Sequence, residues 1–537
     1  MAGRVAAADS GLPLRRATVT ARPTRPPEPG RRGGPFQIPR SYSARTDDEG
    51  RYTIAQLPAG EYTVTARRSG YVEAGFGQVT TRTPPRRVSV AEGAAVGPLD
   101  FQLQRGGVIT GRVVDDSGEP AERVTVRAVQ QRRIGGQVRL VGGSQDQTDD
   151  QGHYRIFGLP PGDYLVMAEP GDRGPFRMGG VVQGVEIDTI PTYGPGTVNP
   201  AEAMKVQVQA GLEAAMDVQL IAAKVAAVRG RVLTSKGEPL EGGVVRLQPA
   251  GGEVVGMGMG QGGRLMTGGQ FEIDAVAPGT YLLIAEQMRS GGPDGADGPA
   301  PEQAVQTITV EGEDLVVALT TSQGSTARGR VVVEGDASAL ASRELRIMSF
   351  STGPQAMSGI PGRGRVARDL TFEVSGLRGE QVISLQPMPE GWWTKDVRVG
   401  GQPALEGFDF GDAKVFSGVE IVISTRPTGL AGRVTMPTGA IASDYAVVLF
   451  PEEERKWEQQ SGAGQASARI VRPGLDGAFT LQGVRPGTYY VLAVPAAQAE
   501  YQALADPDQL RELAARARTV EVKDGQIVSL TLTLVER

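Results

Sequence analysis

Four near copies of one short phrase, LPAGEY, LPPGDY, VAPGTY and VRPGTY, end at Tyr62, Tyr164, Tyr281 and Tyr489. A second phrase, Gly-Arg-Val, begins at Gly3, Gly111, Gly230, Gly329 and Gly432, and it precedes the first by 46 to 54 residues wherever both occur. A repeat of about one hundred residues is large enough to bury its own core, so the chain reads as an array of similar modules rather than one globule. At 377–382 the sequence LRGEQV takes the place of the repeated phrase without its Pro and Tyr, which marks the fourth copy as divergent.

Each Gly-Arg-Val reads as a strand, and the first three run into a Gly-x-Pro turn: GRVAAADSGLPL, GRVVDDSGEPA and GRVLTSKGEPL. A closing phrase such as VQVQAGLEAAMDVQL or VEVKDGQIVSLTLTL alternates apolar and polar residues on both sides of a Gly turn. Val206 and Val208, then Met216, Val218 and Leu220, each form a one-faced apolar stripe, and the two strands read as a hairpin. The modules expected are 1–104, with its start truncated, 105–222, 223–322, 323–424 and 425–537. All are β-sandwiches joined by linkers too short for free movement, which implies an all-β, elongated array.

Within TDDQGHYRIFGLPPGDYLVMAEP, Gly152 permits a tight turn, and Tyr154 and Ile156 alternate into a strand that Leu159 ends. Pro160 and Pro161 supply no N–H, so the ladder stops; Gly162 allows the reversal, and Tyr164, Val166 and Ala168 start the next stripe. The spacing fits a tyrosine corner, in which the phenol at a strand start donates to backbone a few residues upstream. Tyr62, Tyr164, Tyr281 and Tyr489 are therefore read as structural, against the alternative of sugar-stacking surface rings.

Taken together, G-x-V-x-(D)-x-x-G-x-P followed by T-D-x-x-G-x-Y/F and L-P-P-G-x-Y resembles the carboxypeptidase regulatory-like domain, a transthyretin-like sandwich akin to carbohydrate-binding-like and Cna-B-like modules. The first two modules match that pattern best, the third and fifth well, and the fourth only through GRV and the strand before Leu377. The resemblance implies a bacterial protein, secreted, periplasmic or on the cell surface. It implies a glycan or another envelope protein as partner, or an accessory place in a peptidase system, and it brings no catalytic residues with it.

Composition narrows the chemistry further. Cys is absent and His153 is the single histidine, so a disulfide framework, a thiolate metal site, a His-based zinc site and a Cys-His or Ser-His-Asp triad are all excluded. His153 reads as a solvated turn residue. The near balance of charge, a formal net of -5, argues against nucleic acid, and no run approaches the roughly 18 apolar residues of a membrane span. The opening MAGRVAAADSGLPL lacks the basic segment and apolar stretch of a signal peptide. No enzyme, metal or cofactor is expected, and the chain is expected to be a monomer.

Several stretches carry weaker readings. Asp47-Asp48-Glu49 and Asp149-Asp150 offer oxygen atoms for calcium, although Asp serves turns by itself and the spacing lacks a calcium loop. The segment 15–45, with eight Arg against Glu28, reads as a solvated insertion or a grip for an anionic polymer. The Gly-rich 251–263 and 290–301 read as inter-strand loops and lack a phosphate-loop pattern. Trp392 and Trp393 must face opposite ways on a strand, one toward the core and the other toward a glycan or a neighbouring module; Trp457, in a charged run, is the other sugar-stacking candidate. DPDQLRELAARARTV predicts one helix, capped by Asp506, with Leu510, Leu513, Ala514 and Ala517 on one face.

Overall fold

The computed structural model describes the chain apart from residues 25–40, 81–82, 135–136, 171–186, 251–253, 256–261, 289–299, 341–343, 353–360, 389–390, 427, 443, 458–467, 475–476, 501–503, 505 and 536–537. The architecture is all-β and multi-domain, with a single α-helix among the described residues. Two compact units are formed, one by Met1–Arg105, Arg133–Gln137 and Ser325–Arg537, the other by Gly106–Arg132 and Val138–Gly324.

One plan recurs five times. The Gly-Arg-Val strands are Ala2–Ala7, Gly107–Val114, Ala226–Leu233, Ser325–Glu334 and Gly429–Thr435. Each pairs antiparallel on one side with the strand that follows a polar turn: Arg51–Thr53, His153–Leu159, Gln270–Val276, Thr371–Leu377 or Ala478–Gln482. On its other side it pairs parallel with the closing strand of the repeat, as Ala226–Leu233 does with Leu315–Thr320 and Gly429–Thr435 with Ile527–Thr533. A second sheet packs over this one, built around pairs such as Thr125–Ile134 with Gly162–Glu169 and Tyr445–Pro451 with Gly487–Pro495. Five large clusters of buried apolar side chains lie between such layers, one in each repeat.

The glycine of Gly-Arg-Val has a steric cause. A Cβ placed on Gly3, Gly111, Gly230, Gly329 or Gly432 would overlap the carbonyl oxygen of Leu99, Met216, Val317, Val419 or Leu530 respectively, on or just before the parallel closing strand. The antiparallel neighbour of each glycine is aromatic: Tyr52, Tyr154, Phe271, Phe372 or Phe479. At two of them the ring itself lies over the glycine: a Cβ on Gly111 would stand 3.0 Å from Tyr154 Cε1 and one on Gly230 2.9 Å from Phe271 Cε1. In the first two repeats the ring is Tyr, and its hydroxyl donates to the same carbonyl oxygen, from Tyr52 to Leu99 at 2.7 Å and from Tyr154 to Met216. Burial of both phenols pushes their pKa well up, so they remain neutral donors.

The closing phrase corrects the hairpin reading. Val206–Val208 pairs with Gly162–Glu169 in one sheet, whereas Glu213–Ala215 and Val218–Gln219 pair with Gly107–Val114 in the other. Likewise Arg518–Val522 joins Gly487–Pro495 while Ile527–Thr533 joins Gly429–Thr435. The Gly turn is an arch between layers. Alternation shows that each strand has one buried face, but two strands on opposite walls of one core alternate just as two neighbours do.

The fourth repeat departs from the plan. Arg363–Val366 pairs with Arg346–Ser351 and also with Thr371–Leu377, which merges the two layers at one edge into a nine-stranded sheet. In the fifth repeat the helix Pro507–Ala514 covers a separate outer cluster. Asp506 caps it by accepting from the Asp508 amide, Leu510 is fully buried, and Leu513, Ala514 and Ala517 pack beside Phe450, Trp457 and Leu492.

Candidate functional site

The four corner phrases end a strand in the first sheet and begin one in the second, so the chain changes layer there. Each phenol donates to the carbonyl oxygen four residues upstream: Tyr62 to Pro58 at 2.8 Å, Tyr164 to Pro160 at 2.8 Å, Tyr281 to Ala277 at 2.9 Å and Tyr489 to Arg485 at 3.0 Å. In the last three copies the residue after the acceptor is proline, Pro161, Pro278 or Pro486, and in the first the acceptor is itself Pro58; proline cannot donate, and the tyrosine hydroxyl takes up the carbonyl that the interrupted ladder leaves.

The acidic turns are occupied in the same way. Asp47 Oδ1 accepts the amides of Glu49 and Arg51, and Asp149 Oδ1 accepts those of Gln151 and His153. Asp115 does the same for Ser117 and Glu119. No group of three or more acidic or histidine side chains fit to hold a metal occurs among the described residues. His153 is exposed, with its Nδ1 3.8 Å from Asp149 Oδ1. The Arg-rich 25–40 and most of the Gly-rich 251–263 and 290–301 lie outside the described residues.

The three tryptophans have different fates. Trp392 is 9 % exposed and belongs to the core of the fourth repeat. Trp457 is 5 % exposed; its ring stands 5.6 Å from that of Phe450 at 73°, beneath the helix, and its Nε1 donates to Pro451 O at 2.7 Å. Burial removes both from any surface a sugar could reach. Trp393 begins the strand Trp393–Val399, is half-buried, and donates Nε1 to Arg426 O at 2.8 Å in the segment between the fourth and fifth repeats.

Around Trp393 the sequence reading missed a polar seam. Lys395 Nζ meets Glu334 Oε1 at 2.8 Å and Asp524 Oδ2 at 2.5 Å, and Arg485 reaches Glu406 at 3.3 Å. Lys395 is held above the usual lysine range by its hydrogen bonds to Asp524 and Glu334. These partners lie 61, 129 and 79 residues apart in sequence, a separation that no local pattern reveals. Also missed were Asp100 and Asp217, whose carboxylates accept the amides of Arg4 and Arg112, next to the crowded glycines, at 2.8 Å. The recurring Asp in LDFQL and MDVQL was the available signal. A third is Glu302, buried and accepting from the Ser235 amide and hydroxyl and the Thr321 hydroxyl. Burial opposes its charge, but the three donors outweigh it and hold the carboxyl below its usual range.

Residues 1–104 and 108–186 match the model of the carboxypeptidase regulatory-like domain. These two segments are carboxypeptidase regulatory-like domains. Later repeats share their strand plan, with the same crowded glycine on the opening strand. Comparison with curated proteins found no match. Among solved structures, the Bacillus anthracis TIE protein is 10% identical over 76% of this chain and 69% of its own, with a TM-score of 0.15. The minor pilin of Streptococcus agalactiae is 15% identical over 39% and 84%, with a TM-score of 0.19, and the major pilin subunit of Bacillus cereus is 10% identical over 58% and 99%, with a TM-score of 0.15. Scores this low carry no argument about this chain. No helix of the described residues is long and apolar enough to cross a membrane.

Proposed function

We propose that this chain is a non-catalytic scaffold of tandem carboxypeptidase regulatory-like domains, divided near 1–104, 105–222, 223–322, 323–424 and 425–537, that acts in the cell envelope or as a secreted protein. The observation that carries the reading is the commitment of all four corner phenols to backbone carbonyls. The repeated corner phenol thus serves the fold of its own module. Support also comes from the acidic turns, whose carboxylates serve neighbouring amides.

The junction of the fourth and fifth repeats fits a spacing role. Trp393 closes on Arg426, and Lys395 ties Glu334 to Asp524, so the two modules are held as a pair by an indole and a charged bridge. The export reading rests on the family resemblance. The test is binding of the full chain to a panel of uncharged glycans, alongside Trp393→Ala. The scaffold reading expects no saturable binding by either protein. Saturable binding that Trp393→Ala abolishes would instead make the chain a glycan-binding array.

A further inference from the structure

In the unit that holds the first, fourth and fifth repeats, a loop of the first repeat and a turn of the fifth, 388 residues apart in sequence, grip each other's main chain. Arg86 donates to Pro473 O at 3.3 Å and Gly474 O at 2.6 Å, and Arg472 donates to Pro84 O at 3.4 Å. Pro84, Arg472 and Pro473 are buried.

Each side is shaped by its own repeat. In the first, Phe76 N donates to Val64 O on the strand Gly60–Arg67 and Arg86 N donates to Phe76 O, both at 2.8 Å, so the loop closes on itself. The Gln78 side chain accepts from the Gly75 amide and donates to Thr83 O at 2.7 Å, and Thr83 Oγ1 accepts the amides of Val79 and Thr80, both at 3.2 Å. The Arg86 stem lies across Gly77, where a Cβ would stand 2.5 Å from Arg86 Cδ. In the fifth repeat, Arg472 is held by Asp444 at 2.7 Å, Gly474 N donates to Ala478 O at 2.8 Å, and the Tyr445 hydroxyl donates to Gly477 O at 2.8 Å. Surfaces that are shaped before they meet lose little freedom on docking.

The contact itself is thin. Among the described residues, no cluster of buried apolar side chains takes members from both repeats. Burial lowers the pKa of Arg472, the Asp444 carboxylate opposes that fall, and the like charge of Arg86 adds to it. A polar contact between modules opens without unfolding either one, whereas an apolar core shared by both would not.

We propose that the loop ending at Arg86 is a latch, which docks the first repeat on the Arg472–Gly474 turn of the fifth and opens while every module stays folded. Closed, it ties together two repeats that are remote in sequence. Open, it releases Arg86 and the carbonyls of Pro473 and Gly474.

The chain has no cysteine, so a dye pair can be placed at the exposed positions Glu92→Cys and Glu452→Cys, in the first and fifth repeats, without competing thiols. The test is single-molecule energy transfer on the labelled full chain through a urea titration, with far-UV circular dichroism recording the strands. The variants are Arg86→Gln, which removes two bonds of the latch, and Gln78→Ala, which loosens the loop from within. Arg51→Gln is the control, since its partners Asp47 and Glu49 lie in its own turn. The expected result is a drop in transfer at lower urea than the loss of dichroism. Arg86→Gln and Gln78→Ala should move that drop to still lower urea, and Arg51→Gln should not. Loss of a charge-assisted bond should weaken docking about tenfold in Arg86→Gln. Transfer and dichroism lost together, a drop that either latch variant leaves unmoved, or transfer between copies that carry one dye each overturns the proposal.

Discussion

Gly111→Ala is the sharpest perturbation of this fold. Gly111 lies inside the strand Gly107–Val114 and is not among the residues with positive φ, so alanine brings no backbone strain of its own. The new methyl would overlap Met216 O and stand 3.0 Å from Tyr154 Cε1. The first contact is main chain, fixed by the parallel pairing of Ala214 with Ile109 and Val218 with Val113 on either side, so it cannot rotate away. Forcing the strands apart costs about 1 to 3 kcal/mol as overpacking, and loss of the Tyr154 hydroxyl bond to Met216 adds about 1 kcal/mol. A sum of about 2 to 4 kcal/mol corresponds to roughly thirty-fold or faster amide exchange through local opening. The assay is hydrogen exchange by mass spectrometry on the full chain, read on peptides covering 107–114 and 213–220. Gly118→Ala is the control: its φ is +87 with open space around it, so it costs about 1 to 2 kcal/mol, confined to the 115–119 turn. Unchanged exchange at 107–114 in Gly111→Ala would refute the close-approach argument.

Other outcomes follow from the same geometry. Tyr164→Phe leaves Pro160 O without its donor and lowers the stability of its module by about 0.5 to 1.5 kcal/mol, seen as a fall in the denaturant midpoint; no change would show the corner bond to be energetically idle. Trp457→Ala removes a core ring beneath the helix at a cost of about 3 to 5 kcal/mol, and exchange at 507–514 should rise with it. Glu302 has a folded pKa depressed below its unfolded value near 4.3, so its contribution is present above that pH and lost as pH falls through the folded value. The protection factor at 231–235, taken relative to the chemical exchange rate at each pH, should fall on acidification in the native chain and lose that dependence in Glu302→Gln. Asp524→Asn weakens the Lys395 bridge, and limited proteolysis between the fourth and fifth repeats should quicken.

The all-β class was legible because strands with one buried face must alternate, and the single helix because Asp506, Pro507 and the Leu510 stripe act within one turn of each other. Which strands are neighbours was not legible. The arch at 209–212 and a hairpin share the same Gly turn and the same alternation, and only the parallel pairing with Gly107–Val114 separates them. Trp457 was hidden by its charged flanks in PEEERKWEQQ, since a short turn at Glu454–Lys456 points the charges that precede it outward and leaves the indole inside. The Lys395 bridge joins residues 129 positions apart, and the repeats give no sign of it.

The central claim is that the chain acts as a scaffold and presents no sugar-stacking ring. The most direct measurement is binding of the full chain to uncharged glycans, compared between native protein and Trp393→Ala. No saturable binding in either is the predicted result; saturable binding by the native chain, abolished by Trp393→Ala, would contradict it.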